Sequence, residues 1–134
     1  MPNVSAHMME NDPFSQWLGI AVEECKPQYC KLSMTVREEM CNGFGIAHGG
    51  ITYSMADSAL AFAANQGGIQ SMSIETSIHH LEMVKAGTKI TAEATCIKET
   101  RKTGLYTIEI TDESGNRVAW FKGTVYRTGK EWNI

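Results

Sequence analysis

The stretch NGFGIAHGGITYSMADSALAFAANQ, residues 42–66, decides the fold of this 134-residue chain. After its paired glycines, nearly every residue is apolar or small, and no wide polar face is left. A helix that is apolar nearly all round is buried on most of its sides. Gly67 and Gly68 follow the stretch, and glycine is a common stop signal for a helix. We therefore predict a long buried helix from about residue 50 to residue 66.

Alternating apolar and polar residues predict strands on both sides of this helix. The alternation covers residues 30–36, 89–97 and 105–111, a more apolar strand covers 118–126, and weaker candidates cover 18–24 and 70–81. Pro13, with Asp12 as the N-cap, predicts a short helix through Trp17. Turn sequences at 99–104 and 112–116 separate the last strands, so we expect an antiparallel meander of four strands after the long helix.

One long helix within a run of strands is typical of an α+β fold. A helix this apolar needs a curved antiparallel sheet wrapped around it and a second subunit over the remaining side. We predict a single domain over residues 1–134, because a chain of this length buries a sizeable core.

Composition and charge exclude several classes of protein. A net charge of −3 and a pI near 5.8 argue against a nucleic-acid partner or an anionic membrane surface. No apolar run approaches the roughly 20 residues that cross a bilayer. The N-terminal region has neither the positive charge nor the apolar run of a signal peptide, so we expect a cytoplasmic protein without nucleic-acid or membrane partners.

Asp57 is the charged residue of the predicted helix. An ionised carboxylate among apolar side chains costs on the order of several kcal/mol unless it is paired or hydrogen-bonded. In one interpretation Ser54, Ser58 or a donor from a partner chain bonds the carboxylate, which then only fixes packing. In the other, Asp57 is a catalytic carboxylate whose protonation is tuned by its site.

A glycine-rich loop with His48 lies directly before the helix. Free backbone N–H groups and the positive end of the helix dipole gather there, and glycines let a ligand approach the backbone. Such an end binds phosphate or a carbonyl oxygen that gains negative charge, and phosphate is the weaker option because the loop matches no phosphate-binding motif. Asp57 lies about 10 Å further along the helix axis. We therefore hypothesise that the Gly49 amide of one subunit works with Asp57 of another.

Residues 42–66 resemble the motif region of hotdog-fold acyl-CoA thioesterases, especially the PaaI-like branch that includes phenylacetyl-CoA-type thioesterases. The pattern of Asn-Gly, His-Gly-Gly and a later Asp falls on Asn42, Gly43, residues 48–50 and Asp57. Residues 86–129 are similar to the closing strands of that family, including its Lys-Thr-Gly turn. The resemblance covers about residues 14–129 and implies the hotdog fold, in which a curved antiparallel sheet wraps a long central helix.

The resemblance implies a role for each residue of the motif. The Gly49 amide polarises the thioester carbonyl, and Asp57 attacks that carbonyl or activates a water. His48 orients the loop or the thioester sulfur, and Asn42 hydrogen-bonds within the loop. Ser73 stands where some members use a serine to hold the water.

Coenzyme A binding is implied for Gly50, Lys85 and Lys102. Glu82 departs from the family pattern, because it replaces a basic residue that helps to bind the phosphates of coenzyme A. Other positively charged side chains must then bind the phosphates, and of these we favour Lys85 and Lys102. The remaining candidates are Lys89, Arg101 and Arg127.

The predicted reaction is hydrolysis of an aryl- or medium-chain acyl-CoA at the subunit interface of a homodimer or homotetramer. No cofactor is expected. No metal is expected either, because His79 and His80 are neighbours on a strand and face opposite sides, and a zinc site needs three or four ligands. The base must be ionised, so we expect donors to offset the rise in the pKa of Asp57 that burial causes.

Two other functions stay open at this stage. Hotdog folds also carry acyl-CoA hydratases and dehydratases, because a fold does not fix a function. A non-catalytic acyl-CoA sensor would need the binding tunnel but not Asp57. The side chains expected to shape the acyl pocket are Tyr53, Phe62, Met72 and His80.

Overall fold

A computed structural model describes residues 3–134, so Met1 and Pro2 of the predicted domain lie outside it. Its elements are α1 (Val4–Glu10), α2 (Pro13–Leu18), β1 (Ala21–Lys26), β2 (Tyr29–Thr35), a 3-10 turn (Glu38–Met40), α3 (Gly49–Asn65), β3 (Ile69–His80), β4 (Lys89–Glu99), β5 (Thr103–Thr111) and β6 (Arg117–Glu131). Asp12 caps α2, as predicted, and accepts a hydrogen bond from the Ser15 amide. The sequence pattern did not predict α1.

The six strands form one antiparallel sheet in the order β1-β2-β4-β5-β6-β3. All the predicted strands are present, and β6 continues to Glu131, beyond its predicted end at residue 126. The prediction of a four-strand meander is wrong for β3, because only β4, β5 and β6 follow one another in the sheet. Instead, β3 pairs with β6, and β4 lies between β2 and β5.

The segment between β3 and β4 explains this difference. Residues 81–88 do not turn back on β3 but cross over the N-terminal end of α3. The Ala47 amide donates to the Val84 carbonyl at 2.7 Å, and the Gly87 amide donates to the Val36 carbonyl at 2.7 Å. These two bonds tie the segment to the loop before α3 and to the end of β2. The chain therefore enters β4 beside β2 and leaves β3 at the edge of the sheet.

Helix α3 lies in the concave face of the sheet, within one residue of its predicted bounds. Except for Gly50, each of its residues is buried or partly buried. Its apolar side chains pack on the inward-facing residues of β2, β4, β5 and β6. The approach is close at Gly123 of β6, where an added Cβ would lie 2.6 Å from Leu60 Cδ2. The predicted buried helix is confirmed.

The edge strand β3 is unusually exposed for a twelve-residue strand. Two apolar side chains near its middle, Met72 and Ile74, are 64% and 61% exposed. A long apolar edge is a site for pairing with another strand. Within residues 3–134, no helix has the length and apolar character that a membrane crossing requires.

Candidate active site

The loop before α3 is closed by hydrogen bonds around Asn42. The Asn42 amide donates to the Ile46 carbonyl at 2.8 Å, and the Gly45 amide donates to the Asn42 carbonyl at 3.0 Å. The side-chain oxygen Oδ1 of Asn42 accepts from the Phe44 amide at 2.9 Å. Gly45 has a φ of 78°, a left-handed conformation that favours glycine. Asn42 therefore shapes this loop, and its side chain also lines the cleft in front of α3.

The first amides of α3 are not equally available. Nδ1 of His48 accepts from the Gly50 amide at 2.9 Å, and the His48 carbonyl accepts from the Ile51 amide at 2.9 Å. The Gly49 amide donates to no acceptor within residues 3–134. His48 thus caps the helix and occupies the Gly50 donor. The donor left free at this positive helix end is the Gly49 N–H.

A cleft of about 330 Å³ lies in front of this amide. Gly49 and Thr52 form its helical side, and His80 and the residues that follow it form the opposite side. The Thr52 hydroxyl donates to the Gly49 carbonyl at 3.1 Å and lies 3.4 Å from Nδ1 of His80. The sequence predicted that His80 shapes the acyl pocket, but it did not predict the contact of His80 with Gly49 and Thr52.

Asp57 lines a second cavity, of about 230 Å³, further along α3. Ser71, Met72 and Ser73 of the edge strand form the facing wall. The predicted proximity of Ser73 to Asp57 is therefore present in a single chain. The Ser73 hydroxyl makes no hydrogen bond to another of the described residues, so it is available to a ligand or a water.

The Asp57 carboxylate accepts no hydrogen bond from any residue in the range 3–134. Ser58, one of its predicted partners, is bonded instead to the Ser15 hydroxyl at 2.8 Å, and Ser54 does not bond it either. Ser15 in turn donates to Asp12 at 2.6 Å. The interpretation in which Ser54 or Ser58 bonds Asp57 is therefore wrong for the single chain.

Burial raises the pKa of Asp57, and the negative charge of Asp12 raises it further. The expectation that donors of the chain offset this rise is wrong for residues 3–134, since none of them bonds the carboxylate. The site holds an acid that is more easily protonated than an exposed aspartate. Such a shifted carboxylate in a cavity is typical of functional sites.

Gly49 and Asp57 do not share a cavity in one chain. Gly49 lines the cleft at the N-terminal end of α3, whereas Asp57 lines the cavity beside β3. Their separation of eight residues corresponds to about 12 Å along the helix axis. The donor and the carboxylate therefore occupy two half-sites, which we call the Gly49 cleft and the Asp57 cavity.

The two lysines assigned to coenzyme A lie near opposite ends of helix α3. The backbone of Lys85 forms an isolated antiparallel β-bridge with Ile46, which lines the Gly49 cleft. Lys102 lies in the turn between β4 and β5, and its carbonyl accepts from the Arg127 amide at 2.7 Å. That turn is at the C-terminal end of α3, where Arg127 is paired with Glu99 at 2.8 Å. One chain therefore does not bring Lys85 and Lys102 to a common site.

The two neighbouring histidines face opposite sides of β3, as predicted. His79 lies beside Trp120, with ring centroids 6.5 Å apart, and His80 faces α3. Within residues 3–134 no group of three metal-binding side chains comes together. Phe62 is fully buried in the core and lines neither the cleft at Gly49 nor the cavity at Asp57. Tyr53 is partly buried, and its hydroxyl is bonded to Thr76 of β3.

Comparison with known proteins identifies the family of the chain. The model of the thioesterase superfamily matches residues 44–119, more than half of the chain. The acyl-coenzyme A thioesterase PaaI of Escherichia coli K12 is 36% identical over 126 residues, which cover 93% of this chain and 90% of that protein. The structure of E. coli PaaI, a protein of the phenylacetic acid degradation operon, superposes with a TM-score of 0.92, 35% identity and coverage of 95% and 93%.

A second solved structure extends the likeness to another organism. A mutant of the phenylacetic acid degradation protein PaaI from Thermus thermophilus superposes with a TM-score of 0.83 and 34% identity. The match covers 87% of this chain and 99% of that protein. The predicted hotdog architecture is confirmed by these matches and by the wrapped helix. The chain therefore belongs to the thioesterase superfamily, in its PaaI-like branch.

Proposed function

We propose that the protein hydrolyses an acyl-CoA thioester, with an aryl or medium-length acyl group, to the free acid and coenzyme A. The observation that carries this proposal is the pair of unsatisfied groups on α3: the Gly49 N–H and the Asp57 carboxylate. The first is a donor at a positive helix end, and the second is an acid or base in a cavity. The E. coli relative, named acyl-coenzyme A thioesterase, supports the substrate class.

The chemistry follows from these two groups. The Gly49 N–H bonds the thioester carbonyl oxygen and stabilises the negative charge that develops on it during attack. Asp57 either removes a proton from the attacking water or attacks the carbonyl carbon itself. The C–S bond then breaks, and the electron pair leaves on sulfur. The hydroxyl of Ser73, on the wall of the same cavity, is placed to hold the water.

A complete site requires two copies of the chain. The edge strand β3 forms one wall of the Asp57 cavity and exposes Met72 and Ile74. Antiparallel pairing of two β3 strands would satisfy the free backbone groups of the edge and pack Met72 and Ile74 against side chains of the partner's β3. We therefore propose a homodimer that forms along β3, alone or within a homotetramer.

The register of that pairing brings the half-sites together. β3 has an irregularity between Ser73 and Glu75, near its middle. With the two-fold axis at Glu75 and this extra residue counted, Ser71 lies opposite Ile78 of the partner subunit, two residues before the partner's His80. Because His80 contacts Gly49, the partner's Gly49 cleft would then meet the Asp57 cavity. The same antiparallel arrangement brings Lys102 of the partner subunit toward Lys85, so the two lysines could hold one coenzyme A.

A test of this function measures thiol release with a colorimetric thiol reagent, using a panel of aryl, short-chain, medium-chain and long-chain acyl-CoAs. We expect turnover by the wild-type protein and a loss of about 10³-fold or more in kcat for Asp57→Asn, which removes the base or nucleophile. The control is Asp112→Asn, the same change in the exposed turn between β5 and β6. This variant should keep wild-type activity.

The same assay separates the other functions. Tight acyl-CoA binding by the wild-type protein without release of thiol would identify a sensor. Water addition to an enoyl-CoA without release of thiol would identify a hydratase. Hydrolysis by Asp57→Asn at the wild-type rate would contradict the role of Asp57 while leaving the reaction itself in place.

A further inference from the structure

His80, the last residue of β3, lies directly against the free amide end of α3. An ideal Cβ built on Gly49 would lie 3.1 Å from Nε2 of His80, so this ring nitrogen borders the glycine itself. The side chain is solvent-exposed in the single chain and lines the Gly49 cleft. It is therefore open to a ligand that the Gly49 amide binds.

The orientation of the ring is set by Thr52. The Thr52 hydroxyl uses its proton in the bond to the Gly49 carbonyl, so its oxygen is left to accept. Nδ1 of His80, 3.4 Å away, is the donor placed to use it. With Nδ1 directed at Thr52, Nε2 points toward Gly49. The cleft thus presents two donors to a bound carbonyl group: the Gly49 N–H and, when the ring is protonated, the His80 Nε2–H.

In the proposed hydrolysis, no residue has yet been assigned to protonate the leaving sulfur. Gly49 stabilises the carbonyl oxygen, and Asp57 acts on the water or the carbonyl carbon. Neither of them protonates the sulfur, which leaves with an electron pair and a negative charge. His48, which the resemblance assigns to the loop or the sulfur, uses Nδ1 to accept from the Gly50 amide. A carbonyl oxygen bonded to the Gly49 amide lies roughly 3 Å from its nitrogen, and the sulfur is attached to the same carbon. The sulfur is therefore within a few ångströms of the position that His80 occupies.

We infer that His80 is a further catalytic residue, the general acid that protonates the leaving coenzyme A sulfur. This inference rests on the proposed function. The oxygen of water bonds to the acyl carbon, the C–S bond breaks, and the Nε2 proton of His80 moves to the sulfur. The water proton taken up by Asp57 is released to solvent, and His80 regains a proton from solvent. The balance is acyl-CoA plus water to acid plus coenzyme A thiol.

The test compares two leaving groups that differ in how much they need a proton. An alkyl thiolate gains much from protonation as it leaves, whereas an aryl thiolate is stable without a proton. Two small benzoyl thioesters that lack the nucleotide are compared: one of N-acetylcysteamine and one of thiophenol. For His80→Phe, which keeps a ring of similar size, we expect kcat to fall about 10²-fold on the N-acetylcysteamine ester. The thiophenol ester should be hydrolysed within about threefold of the wild-type rate, since no general acid is needed there.

Two further variants make the result decisive. His79→Phe makes the same change one residue earlier, on the opposite face of β3 beside Trp120, and should leave both rates unchanged. His80→Gln keeps a polar side chain but cannot deliver a proton as an acid, so it should reproduce the pattern of His80→Phe. Thermal melting shows that each variant is folded, and Gln serves as the informative variant if Phe disturbs folding.

The outcomes separate the two proposals. Equal losses on both thioesters, or no loss on either, would overturn the acid role of His80 and leave the thioesterase proposal standing. A wild-type protein that hydrolyses neither these esters nor any acyl-CoA would overturn the proposed function, and the role of His80 with it.

Discussion

The Gly49 cleft and the Asp57 cavity differ in how their polar groups are satisfied. In the Gly49 cleft, His48 and Thr52 are engaged in hydrogen bonds, and one backbone donor is left over. In the Asp57 cavity, a partly buried acceptor has no donor within residues 3–134. The Gly49 cleft has a hydrogen-bond donor without an acceptor, and the Asp57 cavity has an acceptor without a donor. This difference fits the proposed dimer, in which the Gly49 donor of one chain and the Asp57 carboxylate of the other act on the same substrate.

Mixed dimers give the sharpest test of this division and the largest expected effect. Asp57→Asn and Gly49→Ala each damage one half-site, the second because a methyl group at Gly49 would lie 3.1 Å from His80 Nε2. We expect the Asp57→Asn homodimer to lose about 10³-fold or more in kcat. The Gly49→Ala homodimer keeps the N–H but places a methyl group in the cleft, and we expect it to lose about 10²-fold. A purified dimer with one chain of each kind should regain about half of the wild-type activity, because one of its two sites contains neither change.

The control for the glycine change is Gly43→Ala in the same loop. No atom lies within 4 Å of its added Cβ, and its φ is not in the left-handed region. Its activity should stay close to that of the wild type. If the mixed dimer remained as inactive as the two homodimers, Gly49 and Asp57 would act within one chain, and the two half-sites would not be complementary.

The sequence predicted α3 and the separation of Gly49 from Asp57 along it, because both depend on local spacing. The apolar run and the following glycines define the helix, and the number of residues between Gly49 and Asp57 separates them along its axis. The free Gly49 amide follows from the position of His48 just before the helix. Each of these features lies within about 25 residues of sequence, where helix geometry alone fixes the distances.

The sequence could not predict features that depend on long-range register. The pairing of β3 with β6 depends on residues 81–88, which cross α3 before they turn at Gly87, and no sequence pattern marks that path. The contact of His80 with Thr52 joins residues 28 positions apart. It exists only because β3 ends beside the first turn of α3. Alternation predicted that His79 and His80 face opposite sides of β3, but not which part of α3 His80 meets.

The contrast between the two half-sites also predicts a stability effect of intermediate size. Because burial and Asp12 raise the pKa of Asp57, the folded state holds the Asp57 proton more tightly than the unfolded state. Stability therefore falls as pH rises from the ordinary value of 3.8 to the raised pKa, and stays lower above it. Asp57→Asn removes this penalty, so its melting temperature should exceed that of the wild type at pH 8.

The pH dependence distinguishes this cause from a general gain in stability. The gap in melting temperature between Asp57→Asn and the wild type should shrink as the pH falls through the raised pKa and close below pH 3.8. Glu82→Gln removes an exposed carboxylate at the Gly49 cleft and should not show such a gap. A wild type that is more stable than Asp57→Asn at pH 8 would mean that a donor from the second chain stabilises the ionised carboxylate.

The smallest expected effect is a shift in the pH profile of activity when the charge of Asp12, close to the Asp57 cavity, is removed. Its charge raises the pKa of Asp57, while its side chain caps α2 and, through Ser15, reaches Ser58 beside Asp57. Asp12→Asn keeps a capping oxygen and removes the charge. Since the proposed mechanism uses the ionised form of Asp57, the acid limb of the kcat/KM profile should shift to lower pH. Glu10→Gln, an exposed change at the end of α1, should leave the limb in place. An unmoved limb in Asp12→Asn would show that burial alone sets the protonation of Asp57.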